Sequence, residues 1–382
     1  MKVILFANTD WYLYNFRLPL AQYLRTQGLD VLFLSPPGEY GLRLREAGFR
    51  WQSIPMNRLS INPLRELILL NHIRRVYAHE RPKLAHHFTI KSVVYGSLAA
   101  RLTGTNARVN AVTGLGHVFT NTGVKARLLR PWVRLLLRLA LGGTGSRLIL
   151  QNPDDVHSFK QGRLIQPEFI RLIRGSGVDT ERFKPTAPTD PTRPLTMLLA
   201  TRLLWEKGVD EYVTAAQQLR EAGLSLNCLI AGQPDPGNPA SIPVEQLKRW
   251  QQQGAVTLLG HVADMASLLK QVDIMVLPTN YGEGVPRSLL EGAACGLPLI
   301  ATDVPGCREI VQHQHNGLLV PPRNVDALAN AMRQLAENVQ LRQQMGAASR
   351  AIVLETFDQE TVFQQTFAVY QELLPELNST ES

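Results

Sequence analysis

Cysteine is scarce. The 382-residue chain has three, Cys228, Cys295 and Cys307, and their spacing suits neither a metal site nor a redox pair. All three lie in or beside apolar stretches, which fits a reduced, intracellular protein with buried thiols rather than a disulfide framework. Long apolar runs are missing too. None approaches the roughly 18 residues that a spanning helix needs. The opening Met1–Ala7 is apolar but stops at Asn8-Thr9-Asp10, too short for a signal-peptide core and better read as a first strand. Internal repeats, low-complexity segments, helix-turn-helix, zinc-finger and aromatic-basic RNA-binding patterns are all lacking, so nucleic acid is not an expected partner. No Asp-x-Asp pair stands at a strand end. Asp154-Asp155 open a helix-like segment and suit its N-terminus, so no metal is expected. Gly114-Leu-Gly116 lacks the third glycine of a dinucleotide fingerprint, which weighs against a dehydrogenase.

What is present is ample apolar content, 45%, on a chain long enough for two domains. Charge is uneven. Residues 1–180 hold 25 Lys and Arg against 10 Asp and Glu, while residues 181–382 hold 15 against 22. A basic half joined to an acidic half suggests that the first half meets an anionic surface, with a membrane the better candidate.

Short apolar runs alternate with helical periodicity. In the first half, strands are expected at Val3–Ala7, Val31–Leu34, Lys83–Phe88, Arg108–Val112 and Arg147–Gln151. Helices are expected at Leu18–Thr26, Leu42–Ala47, Leu64–His79 and Ser92–Leu102. Gly175–Pro194, with four prolines, reads as a linker. A second series has strands at Leu195–Ala200, Leu226–Ala231, Val256–Leu259, Ile274–Leu277 and Leu299–Thr302, and Phe357–Leu374 is a final helix. Such alternation implies α/β architecture with parallel sheets. The domains are placed at 1–175 and 176–356, with 357–382 as a terminal helix.

The most informative segment runs from Asp273 to Pro298. Ile274–Leu277 is a buried strand, Thr279–Val285 a loop, and Pro286 sits where a helix begins. Glu283 therefore lies just past a strand's carboxyl end and Glu291 a little over one turn into the helix. In open α/β sheets that crevice binds ligands. Gly284 lets a ligand approach the backbone closely, with Val285 next to it as a further candidate for donor binding, the helix start favours an anion, and a carboxylate accepts from paired hydroxyls. A diphosphate there leaves Glu283 facing whatever the diphosphate carries.

These two glutamates resemble the pair that marks the nucleotide-sugar site of the retaining glycosyltransferases of family 4, which have the GT-B fold: two Rossmann-like domains facing across a cleft. Thr201-Arg202-Leu203-Leu204-Trp205-Glu206-Lys207-Gly208 is similar to that family's Gly-Arg-Leu-x-x-x-Lys-Gly, with Thr201 in place of Gly. Ser176-Gly177-Val178-Asp179 is similar to its Asn-Gly-Val-Asp. The resemblance implies that Arg202 and Lys207 neutralise the leaving diphosphate, that Glu283 and Glu291 hold the donor, and that His117, in Thr113–Thr120, faces the donor sugar. It also implies that the last helix crosses back to the first domain.

The loop Asn8–Arg17, with His87–Lys91 and Thr113–Thr120, looks like the bacterial subgroup that acts on lipid-linked sugars. Asp10, Asn15 and Lys91 are then candidate acceptor contacts, with helix capping as the other reading of Asn15 and solvation that of Asp10 and Lys91. Lys125–Leu141 is a basic amphipathic stretch with Arg127, Arg130, Arg134 and Arg138 at helical spacing and Trp132 among them, which suits an anionic membrane face or an ordinary domain helix.

The function this implies is retaining transfer of a sugar, an N-acetylhexosamine, from a UDP-sugar to a polyprenyl-diphosphate-linked saccharide, at the inner face of the cytoplasmic membrane and without cofactor. A transferase with a soluble acceptor, a nucleotide-sugar epimerase and a non-catalytic binding protein stand as alternatives.

Overall fold

The computed structural model describes the chain except residues 58, 59, 61, 113–123, 187–192, 281, 283, 381 and 382, and the side chains of 124–130, 379 and 380. The chain forms two compact units, one of Met1–Ser176 with Val362–Ser382 and the other of Gly177–Thr361. Each is built on one parallel sheet.

In the first unit the strands are β1 (Lys2–Phe6), β2 (Asp30–Ser35), β3 (Arg50–Ser53), β4 (Leu84–Phe88), β5 (Ala107–Val112), β6 (Ser146–Leu150) and β7 (Ile170–Leu172). Their order is β3-β2-β1-β4-β5-β6-β7. The central strands are nearly continuous apolar runs because helices cover both faces. Val3, Leu5 and Phe33 point to one face, beside the Asp10–Thr26 helix and residues 362–377. Ile4, Phe6, Leu148 and Leu150 point to the other, beside the Pro63–Glu80, Ile90–Leu102 and Val124–Leu141 helices.

The second unit has β8 (Leu195–Ala200), β9 (Leu226–Ala231), β10 (Thr257–Gly260), β11 (Ile274–Leu277), β12 (Leu299–Thr302) and β13 (Gly317–Val320), in the order β10-β9-β8-β11-β12-β13. Strand order reverses between β1 and β4, and again between β8 and β11. Both are topological switch points, where the loops at the carboxyl ends diverge and leave a crevice.

Several boundaries differ from the sequence reading. The first helix starts at Asp10 rather than Leu18, so Trp11–Arg17 is helix and not loop. Thr9 caps it, its hydroxyl accepting from Tyr12 N at 3.1 Å, and Asp10 suits the first turn. Aromatic side chains hold that turn in place: Tyr12 stacks on Phe16 and packs by Phe88. Asn15 lies inside this helix, its side chain donating to Trp11 O at 2.9 Å, and is not a cap. The short strands β3, β7 and β13 were not expected, and β10 lies one residue later than expected. Pro286 is the N-cap of the Arg287–Ala294 helix rather than its first residue.

The terminal helix spans Gln359–Leu373, two residues later than expected at its start. From Val362 on it belongs to the first unit, where Phe363, Phe367 and Tyr370 enter the core. Tyr370 and His86 Nδ1 are 2.7 Å apart, and Glu372 accepts from Arg147 Nε at 2.7 Å and from Arg171 Nη2 at 2.6 Å.

Asp155 sits in the first turn of the Pro153–Gln161 helix, capped by Asn152. Burial pushes its carboxyl up to about 6, against a hydrogen bond from Asn152. A carboxyl raised in the folded state binds more protons there than in the unfolded chain, so its ionisation costs stability above the folded pKa and costs nothing below the unfolded one. Asp155→Asn should therefore stabilise the protein relative to the parent by roughly 1–2 kcal/mol at neutral pH, with the gain vanishing towards about pH 4. Urea unfolding across that range checks it; a gain independent of pH would remove the explanation.

Candidate functional site

The site is built in the second unit from the loops that follow β8, β9 and β11. Past β8, Arg202 leads into a short 3-10 turn, Trp205–Lys207, and then Gly208 at φ +73° opens the Val209–Glu221 helix. A Cβ at Gly208 would overlap the backbone carbonyl of Pro278, just past β11, so the absence of a side chain there lets the two loops touch. The contact is completed by Glu206, whose carbonyl accepts from Asn280 N at 2.8 Å and from the Thr279 hydroxyl at 3.3 Å. Lys207, buried at this junction, is thereby held in the turn that packs on Pro278–Asn280, just past β11.

Arg202 takes a different setting. It is 55% exposed, and its Nη1 donates to Asp235 Oδ2 at 2.7 Å, on the loop past β9. That loop is stitched to the β8 loop by Leu203 N to Gln233 O and Trp205 N to Ala240 O, at 3.0 and 2.9 Å. The guanidinium is oriented but open on its other side to solvent.

Glu291 lies on the Arg287–Ala294 helix with its side chain 12% exposed, accepting from Arg287 Nε one turn back at 2.8 Å. Burial pushes its carboxyl above the ordinary range while Arg287 pulls the other way. One carboxylate oxygen accepts from Arg287, and the carboxylate has further lone pairs for hydroxyls. Pro286 has no side-chain acceptor to cap this helix, so its first-turn N–H groups are left to other partners. Gly284 is half-buried in a bend, and Val285 is buried in the second unit's core. Glu283 and His117 lie outside the described residues, as do the side chains of Arg127 and Arg130.

Two residues not singled out from the sequence organise this site. Asn280 joins three elements: besides its bond to Glu206, its Nδ2 donates to Glu211 Oε1 at 2.6 Å and its Oδ1 accepts from Arg323 N at 3.0 Å. Asp235 is the other, as the partner of Arg202. Neither belongs to a periodic or charged pattern, and the only hint of Asn280 is its place in the loop past a buried strand.

In the first unit the proposed acceptor residues are occupied. Asp10 is buried, with Oδ1 accepting from Trp11 N at 2.9 Å and Oδ2 from Gly41 N at 3.0 Å, so it ties the first helix to the Glu39–Glu46 helix rather than being solvated. Lys91 Nζ donates to Asn57 O, Ser60 O and Glu66 Oε1 at 2.7, 2.9 and 2.8 Å, tying Asn57 and Ser60 to the first turn of the Pro63–Glu80 helix. Both lie past the carboxyl ends of the central strands β1 and β4. Among the described residues, no group of three His, Cys, Asp or Glu is placed to hold a metal ion.

Two families match in tandem: residues 2–152 match "Glycosyl transferase 4-like" and residues 179–352 match "Glycosyl transferases group 1". The chain belongs to the GT-B glycosyltransferases. This glycosyltransferase is 26% identical to the N,N'-diacetylbacillosaminyl-diphospho-undecaprenol alpha-1,3-N-acetylgalactosaminyltransferase of Campylobacter jejuni, over 98% of this chain and 99% of the relative. It is 23% identical to the UDP-Gal:alpha-D-GlcNAc-diphosphoundecaprenol alpha-1,3-galactosyltransferase of Escherichia coli, over 84% and 86%. Its fold is that of Anabaena Alr3699/HepE, solved in complex with UDP-glucose, with a TM-score of 0.77 and 20% identity over 99% of this chain and all of that one. In the glycosyltransferase the loops of the β8/β11 switch point fall within the matched group 1 region, and so do Arg202, Lys207, Gly284, Val285 and Glu291.

Proposed function

We propose that this glycosyltransferase moves an N-acetylhexosamine from a UDP-sugar to a polyprenyl-diphosphate-linked saccharide, with retention at the anomeric carbon, in the assembly of a surface glycan. The observation that carries the reading is the end-to-end match to a transferase that acts on a diphospho-undecaprenol-linked sugar: the similarity extends through the first domain, which binds the acceptor in this scheme. The donor half rests on the packed loops past β8 and β11, where the turn that carries a buried lysine meets Pro278–Asn280, the stretch that follows β11.

In this scheme the diphosphate lies along Lys207 and Arg202, with Gly284 and Val285 offering backbone to it. Glu291 accepts from donor hydroxyls, while Glu283 and His117 contact the transferred sugar. Asp10, Asn15 and Lys91 shape the acceptor side, Asp10 and Lys91 by fixing loops. The acceptor hydroxyl attacks the anomeric carbon from the side of the departing diphosphate. The bond from that carbon to the phosphate oxygen breaks, and that oxygen takes the hydroxyl's proton. The two cations stabilise the charge that develops on the diphosphate, so no metal is assigned. The Val124–Leu141 helix, with Trp132, Arg134 and Arg138, brings the enzyme to the anionic inner face of the cytoplasmic membrane. Arg138 also donates to Gly162 O and Arg163 O, both at 3.0 Å, so it steadies this helix as well.

The test is UDP release across a panel of UDP-sugars, with and without polyprenyl-diphosphate-sugar acceptors. Release that requires one donor and the lipid acceptor, and that disappears in Glu283→Ala, is the expected result. Release to a water-soluble saccharide alone, or conversion of the donor with no acceptor, would replace this reading with a soluble-acceptor transferase or an epimerase.

A further inference from the structure

The five most exposed large apolar side chains among the described residues all belong to one helical layer of the first unit. Leu64, Leu67 and Ile68, 74%, 65% and 66% exposed, open the Pro63–Glu80 helix. Trp132, at 67%, is on the Val124–Leu141 helix, and Leu102, at 64%, ends the Ile90–Leu102 helix that packs between them. The buried sides of these three helices share one face of the first sheet, so their outer sides look away from it together.

Leu64, Leu67 and Ile68 sit at i, i+3 and i+4, which makes one continuous apolar surface on the first two turns. The same helix buries Leu69, Ile73, Val76 and Tyr77 against the sheet, so packing within the unit does not account for the outer three.

Charge on this layer has one sign. The Ile90–Leu102 and Val124–Leu141 helices contain no acid at all. The two acids of the Pro63–Glu80 helix face inward and are paired, Glu66 with Lys91 and Glu80 with Lys2 and Arg50. Among the described residues, the charges turned outward are Arg65, Arg74, Arg75 and Arg134, with Arg101 and Arg138, which are exposed while also donating to backbone carbonyls. Apolar side chains and an indole set among unopposed arginines, on the outer sides of helices rather than in a groove, match an anionic lipid interface: the apolar tips enter the acyl boundary and the guanidinium groups meet phosphates.

We infer that the first two turns of the Pro63–Glu80 helix are a second membrane anchor, which inserts Leu64, Leu67 and Ile68 into an anionic bilayer alongside the face that carries Trp132. This deepens the membrane part of the proposed function and rests on it for the choice of a lipid partner. Two contact points on separate helices fix orientation as well as attachment, since one amphipathic helix alone leaves the protein free to pivot about it.

The native cysteines are all buried, so a single cysteine placed at Leu64 takes an environment-sensitive fluorophore selectively. The expected result is a blue shift on adding phosphatidylglycerol-containing vesicles and none with phosphatidylcholine alone, while the same label at Val339→Cys, an exposed position in the second unit, stays unchanged. In parallel, the Leu64→Ser, Leu67→Ser, Ile68→Ser triple variant should lose about tenfold or more in vesicle partitioning with unchanged UDP affinity and melting temperature. If the triple variant does not fold, the label alone decides. No shift at position 64, or full vesicle binding by the folded triple variant, overturns the anchor. A shift that grows with protein concentration in the absence of lipid also overturns it and identifies a second copy as the occupant. Transfer to a detergent-dispersed lipid acceptor separates the two ideas. The triple variant keeps that activity if the proposed function is right, and a parent enzyme without it, but with a vesicle-induced shift at 64, defeats the function and leaves the anchor.

Discussion

Replacing Lys207 with glutamine should lower kcat by about two to three orders of magnitude, the usual cost of removing one fixed group that stabilises developing charge. The reasoning is local. Lys207 is buried where the β8 loop meets the β11 loop, in a setting where water screens a charge poorly. The ammonium matters most when the diphosphate acquires its full charge on departure, so the loss should fall on kcat more than on KM. Arg202 offers a built-in comparison. It is more than half exposed and shares its charge with Asp235, so Arg202→Gln should cost less, on the order of tenfold. Steady-state UDP release with both variants, together with their melting temperatures, makes the measurement. A Lys207→Gln enzyme within a few-fold of the parent's kcat would take that lysine out of the chemistry.

Gly208→Ala should be among the most damaging conservative changes in the chain, costing about 3 kcal/mol or more of stability. Two effects combine there. The backbone is at φ +73°, which a side chain adopts at a cost of about 1 kcal/mol, and the new Cβ would run into the carbonyl of Pro278, a backbone group with little freedom to yield. Gly223 isolates the first effect. Its φ is +87° and nothing stands within 4 Å of where a Cβ would be, so Gly223→Ala should cost only about 1 kcal/mol. Chemical denaturation of the pair gives the difference directly. Because the clash separates the Lys207 turn from Pro278–Asn280, Gly208→Ala should also weaken UDP binding, whereas Gly223→Ala should not. Equal costs for the two alanines would mean that the loops move apart easily and that the contact does not organise the site.

The centre of each sheet was readable because a parallel strand covered on both faces is an apolar run, as Val3–Phe6 and Ile274–Leu277 are. Of the edge strands only β10 was, one residue out of place; β3, β7 and β13 were not. Arg50–Ser53 is polar and half open, Ile170–Leu172 is only three residues long, and Gly317–Val320 opens on a glycine that reads as part of a turn; pairing with a neighbouring strand defines them, and pairing is not local. The start of the first helix was hidden by its aromatic content and Pro19, although Thr9 followed by Asp10 is a legible start signal. At the site, the charged residues could be picked out because their spacing around a strand end carries chemical meaning. Asn280 and Asp235 could not. Each owes its role to hydrogen bonds that span strand loops 33 to 74 residues apart, such as Arg202 to Asp235 and Asn280 to Glu206. Asp10 and Lys91 show the converse: their position past strand ends was legible, but the loops that engage them were not.

The return of the last helix to the first unit has a consequence for synthesis. The second unit is one uninterrupted stretch, Gly177–Thr361, and can close as soon as it has left the ribosome. The first unit begins the chain yet lacks Phe363, Phe367 and Tyr370 until the final residues emerge, and with them the ring beside His86 and the carboxylate that joins Arg147 to Arg171. The half that is made first is therefore finished last, and for the seconds that separate its two ends at about 5–20 residues per second the part of one sheet face that residues 362–377 will cover, beside the Asp10–Thr26 helix, is open to water and to chaperones.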